Sequence, residues 1–174
     1  MKIVLRWPQC NDGWCGPGPR PVVLDTNVVL DLLIFDDPQV PPIRELLARG
    51  LLRWIADPAQ RIELERVLHY SQIAPRVAYY GRTAEGVLAA FDAGVQYVDA
   101  APRIRYVCTD PDDQHFLDLA VAHQALLVSK DKAVLKLRKR VALLGATVGN
   151  QVALAQAADP APTPALEPVP VLAA

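Results

Sequence analysis

Pro21-Val22-Val23-Leu24-Asp25-Thr26-Asn27 is the stretch whose reading decides the fold. Val22-Val23-Leu24 is short and unbroken in its apolarity, whereas a strand with one wet face would alternate apolar and polar residues. Such a run belongs to a parallel strand covered on both sides. Asp25 closes it, and residues 27–34 read as a helix that Asp36-Asp37-Pro38 breaks. Outward from there the unit repeats. Residues 51–56 form a strand candidate, followed by Asp57-Pro58-Ala59-Gln60, a capped helix start that runs to about Tyr70. Val107-Cys108 is a short strand before Asp110-Pro111 and a helix over 112–124. Leu126-Leu127-Val128 precedes a helix over 132–144, ended by Gly145, with residues 146–148 as an edge strand. Further helices are expected over 41–49, opened by Pro41-Pro42, and over 83–93. Strands alternating with helices predict an α/β fold: a three-layer α/β/α sandwich around a central, mostly parallel sheet.

At 174 residues and 52% hydrophobic content the chain can fill the core of a single such domain. The formal charge of -1 excludes the strongly basic signature of a general nucleic-acid binder but leaves room for a local basic face. Cys10, Cys15 and Cys108 are too few for a disulfide framework, and Cys10 with Cys15 lacks the second pair or the histidine that a zinc site needs. Ile3 to Leu5 is no secretory segment, since Arg6, Trp7 and Pro8 stop it. No run approaches the roughly 20 apolar residues that span a bilayer. A cytoplasmic, soluble protein is expected. The domain is placed at 21–150. Residues 1–20, dense in Pro and Gly, are expected as a flexible extension, and 151–174 as a helical end with a Pro/Ala-rich disordered tail.

In a parallel sheet, ligands bind beyond the carboxyl ends of the strands. Four acids fall there or in the helices entered there: Asp25, Glu63, Asp113 and Asp131. Each has a plainer explanation. Asp25 and Asp131 could cap the helices that follow, and Asp113 could pair with Asp110 in a capping box. Asp113, however, shares a helical stripe with Phe116, Leu117 and Ala120, which turns its carboxylate toward the sheet. Asp118 lies off that stripe with His115 and reads as a surface residue, while His69, His115 and His123 read as packing or surface residues. Glu63 borders the Leu64, Val67 and Leu68 stripe, whereas Glu65 sits one turn from Arg61 and His69 as a surface ion pair. Carboxylates gathered in one place repel one another and lose hydration, so a cluster of four calls for protons or a cation.

In their order and spacing these residues resemble the PIN domain, most closely its branch of VapC-like ribonucleases, the toxins of bacterial type II toxin–antitoxin pairs. The resemblance covers about 21–148. Val23-Leu24-Asp25-Thr26-Asn27 is similar to the opening motif, with Asp25 as the first acid. Glu63-Leu64-Glu65-Arg66-Val67-Leu68 is similar to the second, with Glu63 as its acid, and Asp110 to Ala120 to the third, with Asp113. Val128-Ser129-Lys130-Asp131 is similar to the fourth, with Asp131. Residues 71–105 match loosely, which leaves substrate choice open.

The resemblance implies an Mg²⁺- or Mn²⁺-dependent endoribonuclease that hydrolyses single-stranded RNA, with an antitoxin protein as partner and a homodimer as a possible assembly. Asp25 and Asp113 would be direct metal ligands and Asp131 a direct or water-mediated one. Glu63 would hold a second ion or orient the attacking water. Thr26, Asn27, Ser129 and Lys130 would orient the acids or touch substrate phosphate. The basic stretch from Lys130 to Arg140 is either a phosphate contact or a solvated helix face. Two other classes compete. A haloacid-dehalogenase-like phosphatase needs a second Asp two residues after the first, where this chain has Asn27. A non-catalytic PIN-like scaffold could lose acids freely, yet all four are present.

Overall fold

The unbroken apolar runs become neighbours in one sheet. The computed structural model describes residues 2–7, 16 and 18–156. In chain order it contains β1 (Lys2–Trp7), β2 (Arg20–Leu24), α1 (Thr26–Leu30), a wide π-type turn of helix over Asp31–Phe35, and α2 (Pro41–Ala48). Then come β3 (Leu52–Ala56), α3 (Pro58–Leu68), α4 (Ala74–Tyr79), α5 (Ala84–Gly94) and β4 (Gln96–Tyr97). The chain closes with α6 (Gln114–Ala122), β5 (Leu126–Val128), α7 (Lys132–Lys136), α8 (Arg138–Ala142), β6 (Thr147–Gly149) and β7 (Gln151–Gln156).

Five strands form the central sheet in the order β4-β3-β2-β5-β6, and each neighbouring pair is parallel. Alternation along each strand divides the core in two. Val22, Leu24, Trp54, Ala56, Leu126 and Val128 face α1, α2, α3 and α5. Val23, Ile55, Leu127 and Val148 face α6, α7 and α8. This is the three-layer α/β/α arrangement that the apolar runs predict. Because β2 and β5 are adjacent, in register from Val22–Leu126 to Leu24–Val128, Asp25 and Ser129 emerge side by side at their carboxyl ends.

Several expectations need correction. Within the segment taken as a flexible extension, residues 2–7 are a strand, and within the segment taken as a helical end, residues 151–156 are its parallel partner. Ile3 and Leu5 are buried at 5% and 2% exposure. Covering each of them contributes roughly 1.5–3 kcal/mol, which a loose tail would forgo. Cys10, Cys15 and the Pro-rich stretch from Asp159 lie outside the described residues. Val107-Cys108 is not a strand; residues 98–113 form an irregular strap from β4 to α6. The helix expected over 132–144 divides at Leu137 into α7 and α8, and that over 27–34 passes into the π-type turn. Gly145, at φ +90, follows α8 with a backbone that side-chain-bearing residues avoid.

Candidate metal centre

Asp25 sits where β2 meets α1 and is 2% exposed. One of its oxygens caps α1 by accepting from Asn27 N at 2.9 Å. The other accepts from Ser129 Oγ at 2.5 Å. The same Ser129 oxygen accepts from Asp131 N at 3.0 Å, so one hydroxyl fixes two of the four acids. Asp131 caps α7 through Ala133 N. For Asp25 and Asp131 the capping contact is therefore real, and it leaves lone pairs on each carboxylate for another partner.

Glu63 turns inward from α3. Its Oε1 accepts from Thr26 Oγ1 at 2.7 Å, and its Oε2 lies 3.5 Å from His115 Nε2. Glu65 instead lies 3.6 Å from Arg61 at the surface. Asp113 stands at the start of α6 without making a cap bond. Asp110 accepts from Asp112 N, not from the backbone of residue 113. Oδ2 of Asp113 is buried with no hydrogen-bond partner.

The electrostatics follow from this placement. Burial raises the Asp113 carboxyl to about 7, and Asp25, Asp131, Asp110 and Glu63 add repulsion in the same direction. Burial also raises Asp25, against the lowering bonds from Ser129 and Asn27. Glu63 is raised by burial, against Thr26 and His115. Among the described residues, no three His, Cys, Asp or Glu side chains converge closely enough to make a ready cation cage. The donor set nonetheless fits a hard divalent ion: four carboxylates, one with an orphaned buried oxygen, within one another's field and with no lysine or arginine paired to Asp25 or Asp113. Mutual repulsion holds such groups apart until a cation offsets it.

A search of the curated proteins finds no match. The family model described as the PIN domain matches residues 21–133, more than half of the chain. The chain belongs to the PIN domain family. Its fold is also similar to a chain in the crystal structure of VapBC2 from Rickettsia felis bound to a DNA fragment from their promoter. That match has a TM-score of 0.50 and 15% identity over 78% of this chain and 98% of the other, a likeness of fold.

In this PIN domain the other expected residues divide. Thr26 and Ser129 hold Glu63 and Asp25. Asn27 contributes its backbone N–H, and its side chain is exposed. Lys130 pairs with Asp31 at 2.6 Å and Asp37 at 3.1 Å. Asp118, read as surface, is not, and His115 takes the packing alternative. His115 packs on Phe116 with ring centroids 4.0 Å apart, and its Nε2 is buried without a hydrogen-bond partner. Asp118 is 7% exposed, and its Oδ1 accepts from Ile104 N at 3.0 Å and from Gln114 Nε2 at 2.8 Å. Helical periodicity could not show this, because the buried partner is the irregular strap, which covers the side of α6 away from the sheet. Beside the acids, a cleft of about 270 Å³ runs between α3 and the start of α6, lined by Ile62, Glu63, Arg66 and His115.

Proposed function

We propose that this PIN domain is a metal-dependent endoribonuclease that hydrolyses single-stranded RNA, and that it is the toxin of a toxin–antitoxin pair. The observation that carries the nuclease reading is the orphaned, buried Asp113 oxygen amid three further acids. A group in that position is stabilised by a cation and by little else in the neighbourhood. Asp25, Asp113 and Asp131 would hold Mg²⁺ or Mn²⁺ through carboxylate oxygens. When bound, the ion supplies charge to polarise a phosphate and to lower the pKa of an attacking water. Ser129 keeps Asp25 and Asp131 in fixed relation, so neither carboxylate has to be ordered when substrate arrives. Thr26 holds one Glu63 oxygen and leaves the other toward His115, a placement suited to orienting a water for in-line attack. The cleft beside Glu63 gives a strand of RNA its approach.

The toxin role rests on family membership and on the fold shared with a chain of a VapBC complex. An antitoxin protein is the partner expected with it, and the cytoplasm the compartment. No described helix is long and apolar enough to cross a membrane.

The test is cleavage of single-stranded RNA by purified protein. Cutting should need Mg²⁺ or Mn²⁺, stop with chelator, and fall at least about 100-fold in Asp25→Asn. Cleavage that persists in chelator or in the variant would sink the mechanism. The toxin role is read separately. Expression should arrest growth, and coexpression of a small protein encoded beside it should relieve the arrest.

A further inference from the structure

Two basic segments far apart in the sequence meet on the side of the molecule that α6–α8 cover. One is Arg103 to Tyr106 in the strap, and the other is Lys136 to Arg140 at the junction of α7 and α8. Tyr106 joins them. Its ring packs half-buried against the core beneath α6–α8. The guanidinium of Arg105 lies 4.9 Å from its centroid and that of Arg140 5.9 Å, both within cation–π range. Arg105 also donates to the Tyr106 hydroxyl at 2.9 Å. Both arginines remain exposed.

Several other cations have acids beside them: Arg44 has Asp36, Arg49 has Glu45, Arg61 has Glu65 and Asp92, Arg66 has Asp112, and Lys130 has Asp31 and Asp37. Among the described residues, Arg103, Arg105, Lys136, Lys139 and Arg140 have no carboxylate within ion-pair distance. Like charges held near one another without a counter-ion form a surface that a polyanion relieves.

We propose that Arg105, Tyr106 and Arg140 form a docking surface for single-stranded RNA, outside the acid cluster. The proposal rests on the ribonuclease reading and adds where the substrate is gripped. Guanidiniums flanking an aromatic ring match a strand that offers both phosphates and bases, whereas an acidic peptide offers carboxylates without a stacking face. The surface is also tied to the acids. Gln114, next to Asp113, donates to Tyr106 O at 3.2 Å and accepts from Cys108 N at 2.7 Å. RNA held at Tyr106 is thus in fixed register with Asp113. Arg140 lies nine residues of largely helical chain from Asp131, roughly 14 Å of backbone at the helical rise. That is a few nucleotides of extended strand.

The test uses full-length Asp25→Asn protein, silenced for cleavage, and the anisotropy of labelled oligouridine across a KCl series. Each phosphate contact on a single strand contributes about 0.7 to the slope of log affinity against log salt. In that background, Arg105→Gln with Arg140→Gln should reduce the slope by about 1.4, which is roughly a 25-fold loss of affinity at 0.1 M relative to 1 M salt. Tyr106→Leu should weaken binding at least about fivefold with the slope unchanged. Circular dichroism melts establish that the variants are folded, and both arginines are exposed enough for this to hold. An unchanged slope and affinity in the double variant would overturn the proposal. So would loss of binding to polyglutamate with oligouridine unaffected, since the surface would then be a protein-docking one. If wild-type protein cuts no RNA and the slope still falls, the docking surface stands and the ribonuclease reading fails alone.

Discussion

Asp113 is held in a state it resists. Its folded carboxyl titrates at about 7, against about 3.9 in an unfolded chain. The folded protein therefore binds that proton more tightly than the unfolded one does. The stabilising contribution is complete below about pH 4 and is lost as pH rises through 7. Without metal, the melting temperature should fall across that window, and Asp113→Asn should flatten the fall while leaving the part due to Asp25 and Glu63, which shift in the same direction. Thermal scans from pH 4 to 8 in chelator measure this; a variant curve parallel to wild type would contradict it. Ser129, wholly buried between Asp25 and Asp131, permits a second expectation. Ser129→Ala should cost about 10–100-fold in cleavage, and Ser129→Thr, which keeps the hydroxyl, should restore most of it. At this scale the sequence separates Glu63 from Glu65, because the apolar stripe of α3 orients them differently. It does not show the partners of Lys130, since nothing local reveals that Asp31 and Asp37 fold back onto its ammonium.

Among the elements, the strap from β4 to α6 matters most to the centre. It has no ladder of its own and is held by side chains of α6. Asp118 accepts from Ile104 N, and Gln114 bridges Tyr106 O and Cys108 N. Asp118→Ala leaves the half-buried Ile104 N–H without its acceptor and removes one of the two acceptors of Gln114 Nε2, and should cost about 3 kcal/mol in urea unfolding. Asp118→Asn, which retains an acceptor oxygen, should cost about 1 kcal/mol. Cleavage should fall along with stability, because the strap carries the chain into Asp113. Equal stabilities for the two variants would show that the clasp contributes nothing. This element was the least legible in the sequence. β2 and β5 announce themselves through unbroken apolar runs and β3 through a run that only Arg53 interrupts, whereas the strap alternates Pro, Arg and Asp and takes its shape from contacts with α6. The two-residue β4 and the short α4 are likewise set by the β3 edge and by packing, not by local pattern.

Over the whole molecule, the first described residues pair with the last. β1 and β7 meet in parallel register from Lys2–Gln151 to Trp7–Gln156. A pairing across nearly the whole chain length leaves no local trace, which is why a short apolar run beside Pro and Gly reads as an extension. Leu5→Ala should cost about 2–4 kcal/mol in urea unfolding; no change would mean that the strand is not seated in the native protein. The centre of the main sheet, β2, β3 and β5, is legible by contrast, and its topology is what gathers Asp25, Glu63, Asp113 and Asp131 at one end. That gathering is proposed to be a cation site. Calorimetric titration of Mn²⁺ at pH 8 and pH 5.5 tests it most directly. Binding should be tight and proton-releasing at pH 8, much weaker at pH 5.5 where Asp113 is protonated, and lost in Asp113→Asn. Equal affinity in wild type and variant at pH 8, or no binding at either pH, would contradict it.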